Sequence, residues 1–138
     1  MAVNVVAVII AAVANFIIGF IWFSPMVFGK RWQKLSGIDA KKMNEMKKDM
    51  PMRYVGGIIT SLIMAWVLAI IINYAPLATV TTAFGALVGF WVWLGFFATS
   101  SLGGVLWEGK SIDLWTLNNT LHLIALIVMG AIIGMMPG

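Results

Sequence analysis

His122 is the only histidine in this 138-residue chain. Inside an apolar segment, a histidine is the side chain best able to gain and lose a proton near neutral pH. Asn118 precedes it by four residues and shares its helical face, with Asn119 and Thr120 between. Asn15, Thr60, Ser61 and Ser100 are likewise embedded in apolar sequence, and Glu108 closes one such segment. Together these groups could line a small polar pocket that passes a proton or a small solute, with Glu108 at its mouth. Catalysis is harder to build. Ser100 and His122 would serve as nucleophile and base only if their helices touch, and no acid is placed to orient the imidazole. A haem with two axial histidines would need two chains. The chain has no Cys, which removes thiol ligands and disulfides. No catalytic residue, metal site or cofactor is therefore expected, and the chain is not read as an enzyme.

The elements that must position these groups are membrane spans. A composition of 62% hydrophobic and 10% charged residues is far from that of a soluble domain, so the whole chain, 1–138, is read as a single transmembrane domain. Four apolar runs, at about 3–23, 54–72, 82–106 and 113–136, reach the roughly 20 residues that cross a bilayer as helix. The first could pass for a signal peptide at Ala12-Val13-Ala14. However, Met1 to Val6 carries no Lys or Arg and the apolar run continues to Phe23, so it is read as a permanent span.

The expected fold is all-α, a four-helix transmembrane bundle. Small residues should set its contacts: Ala7, Ala11, Asn15 and Gly19 recur every four residues in the first span, and Gly85/Gly89 and Gly130/Gly134 form two Gly-xxx-Gly pairs. The third span is longer than a bilayer needs, so a tilt or a break near its glycines is expected.

Charge fixes the orientation. The loop at 29–53 holds eight basic and three acidic residues, and Lys110 is the only basic residue elsewhere. By the positive-inside rule that loop faces the cytoplasm and both termini lie outside, in a prokaryotic inner membrane. Its charge then meets anionic lipid headgroups, and nucleic acid is not expected as a partner. Ser24 and Pro25 read as the cap and first residue of a short interfacial helix, with Phe28, Trp32 and Leu35 on one face and Lys30, Arg31 and Lys34 on another. A second short helix is expected from about Asp39 to Met50.

Trp22-x-Ser24-Pro25-x-x-Phe28-Gly29-x-x-Trp32, then Trp91-x-Trp93-Leu94-Gly95-Phe96, Glu108-Gly109, and Asn118 with His122 follow one another along the chain. In that order they resemble a family of small prokaryotic four-span proteins known as domain of unknown function 1761. The chain departs from that pattern at Leu121, where Tyr is usual before the histidine, so no phenol stands beside His122. The resemblance implies the four-helix architecture and supplies no activity.

Counted at about 1.5 Å per helical residue, the polar groups share one depth. Asn15 lies roughly 13 Å before Ser24, Thr60 and Ser61 about 10 Å after Tyr54, Ser100 about 10 Å before Trp107, and Asn118 and His122 about 8 to 14 Å after Asp113. Two readings follow. One is a small-solute or proton-linked transporter, expected as a homo-oligomer, with Asn15, Ser100, Asn118 and His122 lining an inward-facing site. The other is an accessory subunit of a larger membrane complex, in which the same layer only holds helices together.

Overall fold

The computed structural model describes residues 3–138. Four helices in it are long and apolar enough to cross a membrane. The first is α1 (Val5–Trp22), started by the Asn4 side chain, which accepts from the backbone N–H groups of Val6 and Ala7. The second, α4 (Met50–Asn73), starts four residues earlier than the apolar run because Pro51 suits a first helical turn. The third span comprises α5 (Thr82–Val92), a π-helical turn (Trp93–Ala98) and α6 (Thr99–Trp107). No break interrupts this span at its glycines: the helix is continuous from Thr82 to Trp107 through the π turn. The fourth, α7 (Ile112–Met135), starts at Ser111, whose hydroxyl accepts from the N–H groups of Asp113 and Leu114.

Two short helices fill the basic loop, α2 (Gly29–Ser36) and α3 (Ala40–Lys48). Asp39 caps α3 by accepting from Lys42 N–H at 2.8 Å. Ser24 and Pro25 do not start α2. Residues 24–28 form a hook instead: Ser24 C=O accepts from the N–H groups of Val27 and Gly29, and Trp22 C=O accepts from that of Phe28. The hook closes so tightly on Gly29 that a Cβ there would lie against Phe23 C=O. Only glycine fits, and the helix begins with it. In the second loop at the same end of the bundle, Gly109 takes φ +69° and lets Lys110 N–H reach back to Gly104 C=O at 3.0 Å.

The bundle is organised around α7. Half of its most apolar stretch is buried, against 22%, 28% and 17% for the first three spans. It packs most closely on α5 and next on α1, and α4 lies mainly against α1. The crossing with α5 is a backbone contact: a Cβ on Gly85 would meet Gly130 C=O, one on Gly89 would meet Leu126 C=O, and one on Gly134 would meet Thr81 C=O. In lipid nothing hydrophobic drives helices together, and such close approach replaces it with dispersion. The tightest apolar packing joins Ala11, Ala65, Leu68, Ala69 and Ile72 to Leu126, Met129 and Ile133. Those positions lie toward the termini, whereas the polar groups lie toward the basic loop.

Candidate functional site

The polar groups fall into two interhelix links. Asn15 Nδ2 donates to Ser61 Oγ at 2.7 Å and ties α1 to α4, with Ser61 buried. The second link ties the third span to α7. Ser101 Oγ lies 3.1 Å from Asn119 Oδ1 and 2.5 Å from Phe97 C=O, with one proton for both acceptors, and it accepts from Trp115 Nε1 at 3.0 Å. Asn119 Nδ2 donates to Trp115 C=O at 3.0 Å, and Trp93 Nε1 donates to Asn119 C=O at 2.9 Å. Asn119 is 3% exposed, whereas Ser101 lies on the exposed side of the link.

The remaining sequence candidates are placed apart. Thr60 donates to Gly57 C=O and Ser100 to Phe96 C=O, each within its own helix and on an exposed face. Glu108 is about two-thirds exposed, 3.8 Å from Lys110. His122 packs its ring on Phe97, with centroids 5.4 Å apart at 48°. Asn118, on the same face of α7, keeps a buried Oδ1 with no hydrogen-bond partner among the described residues, and Trp22 Nε1 is buried in the same condition. Asn15, Ser100, Asn118, His122 and Glu108 are thus not gathered around one cavity. Among the described residues no three His, Asp or Glu side chains come together as a metal site.

One cleft lies on another face of α7, at the end nearest the basic loop. Its volume is about 210 Å³, and Trp22, Phe28, Arg31, Asp113, Thr116 and Thr120 are among its lining residues. Trp22 and Phe28 stack with ring centroids 4.4 Å apart, and Phe23 and Trp32 follow at 5.2 Å. The Trp22-to-Trp32 segment therefore acts as one aromatic wall that holds α2 over α7.

Sequence reading missed Ser101, Trp93 and Trp115 as the partners of Asn119, and Arg31 and Asp113 as cleft residues. Trp115 carried a usable signal, because it stands one turn before Asn119 on the same helix. The Ser101 contact carried none, since a helix pairing must be known before Ser101 can be preferred to Ser100.

The chain matches the model of a family described as protein of unknown function (DUF1761) over residues 6–134, and it belongs to that family. No curated protein and no solved structure matches it.

Proposed function

We propose that this member of the family is a non-catalytic accessory subunit, a four-span unit that packs against a larger membrane protein. The observation that carries this reading is a second row of small residues on the third span. Gly95, Thr99 and Gly103 are spaced four apart, and a Cβ on either glycine would meet nothing within 4 Å. Exposed Thr99 spends its hydroxyl proton on Gly95 C=O at 2.7 Å, so it adds no unpaired donor to that face. The Gly85/Gly89 and Gly130/Gly134 rows already receive a helix inside the bundle. A row of the same kind that faces outward suits the close approach of a helix from another protein. Exposed Trp91 and Phe96 flank it and supply aromatic contact area.

The basic loop is placed on the cytoplasmic side with both termini opposite, following the charge bias. The two polar links then lie in the inner half of the membrane and act as register pins, each contributing about 1 kcal/mol or less. Copurification tests the assignment: the chain should leave native membranes in mild detergent with another protein at fixed stoichiometry. Gly103→Leu should release that partner.

A second reading, proton-linked or small-solute transport by a homo-oligomer, is favoured by one observation. Asn118 Oδ1 is buried without a partner among the described residues, and His122, one turn on, packs on Phe97 of the π turn, a distortion frequent at functional sites. Proton flux in liposomes that is lost in His122→Ala would favour it.

A further inference from the structure

The cleft near the basic loop has a lining of mixed and unpaired charge. Arg31 and Asp113 both line it, yet among the described residues the one ion pair is Lys110 with Glu108. Arg31 supplies a fork of donors suited to a phosphate. Asp113 supplies acceptors. The hydroxyls of Thr116 and Thr120 add two more acceptors, because each spends its proton on the carbonyl four residues back, at 2.8 and 2.7 Å. Trp22, another wall, has a buried N–H without a partner among the described residues.

The cleft therefore offers a cationic donor from α2 and acceptor groups from three residues of α7. That pattern complements a zwitterion carrying a phosphoryl group a short arm away from a primary ammonium. We propose that the cleft binds the headgroup of an ethanolamine phospholipid, with the phosphodiester on Arg31 and the ammonium on Asp113, Thr116 and Thr120.

Position selects a lipid as the source. The cleft opens where the first and fourth spans meet the loop, with Trp22 and Phe28 in its lining, and such aromatic residues mark the headgroup level of a bilayer. A choline headgroup carries no N–H to give to the acceptors, and a glycerol headgroup carries no cation for Asp113. The inference stands apart from the accessory-subunit reading, since the cleft and the Gly95/Gly103 row lie on different spans.

Native mass spectrometry of the purified full chain tests it, with ethanolamine, choline and glycerol phospholipids of identical acyl chains supplied in equal amounts. Ethanolamine lipid should be retained about tenfold over choline lipid, the factor expected of one charge-assisted hydrogen-bonding arm. Asp113→Asn should remove that preference by lowering ethanolamine-lipid retention to the level of the choline lipid. Arg31→Gln should lower retention of all three lipids, and Lys47→Gln in α3 should change nothing. Melting curves of each variant confirm that it is folded. Equal retention of ethanolamine and choline lipids by the parent chain overturns the proposal, as does a preference that survives Asp113→Asn. Soluble glycerophosphoethanolamine should fail to displace the lipid at matched concentration. If it binds as well as the lipid does, the membrane source is overturned.

Discussion

Asn118 and Asn119 are neighbours in sequence and differ by a rotation of about 100° around α7. That rotation puts Asn119 into bonds with Ser101 and Trp115 and leaves Asn118 with a buried carbonyl that pairs with nothing described. A desolvated acceptor without a partner costs stability, whereas a satisfied one contributes modestly. Asn119→Leu should therefore lower stability by about 1 kcal/mol, and Asn118→Leu should leave it unchanged or raise it. Thermal melts in detergent separate the two, and equal losses would contradict the assignment. His122 meets Phe97 ring to ring, a contact worth about 0.5 to 1.5 kcal/mol. His122→Phe should keep that contact and the melting temperature, and His122→Ala should lose it. A drop in His122→Phe as large as in His122→Ala would mean that the imidazole nitrogens, and not the ring contact with Phe97, hold His122 in the bundle.

Among the elements, the spans were legible because length and apolarity alone define them, and the observed helices lie within a few residues of the apolar runs. Their facing was much less legible. In a soluble bundle the polar side of each helix marks the outside, but here both sides are apolar and only small residues mark a contact. The Gly85/Gly89 and Gly130/Gly134 rows do meet each other. The Ala7-to-Gly19 row is used only in part, with Ala7 and Ala11 buried and open space over Gly19. The Ser24–Pro25 start of α2 was misread because its signal is local. The hook that replaces it is closed by Gly29 against Phe23, a contact that no capping rule anticipates.

A direct contrast follows between glycines on the two faces of the third span. Gly89→Leu drives a side chain into Leu126 C=O and must push α5 from α7, costing at least about 2 kcal/mol. Gly95→Leu enters open space and should leave the melting temperature of the isolated chain within about 0.5 kcal/mol of the parent. If both variants melt alike, the packing of α5 on α7 is not as described.

For the whole molecule, the fold places Gly138 N–H 3.4 Å from Asn73 Oδ1, so the C-terminus and the end of α4 share the side opposite the basic loop. Charge then decides which side is the cytoplasm. The chain has no cysteine, so Asn44→Cys gives a single label within α3. It should resist an impermeant thiol reagent in intact cells and react once the membrane is opened. Free reaction in intact cells would invert the molecule and place its polar links in the outer half.

The accessory-subunit assignment requires the outward row of Gly95, Thr99 and Gly103 to seat another protein's helix. Its most direct test is the mass of the particle released from native membranes by mild detergent, for the parent chain and for Gly103→Leu. The parent is expected in a complex with a different protein at fixed stoichiometry. Gly103→Leu is expected as the free chain with an unchanged melting temperature. A particle made of this chain alone in both cases, or a partner that stays bound to Gly103→Leu, would contradict the account.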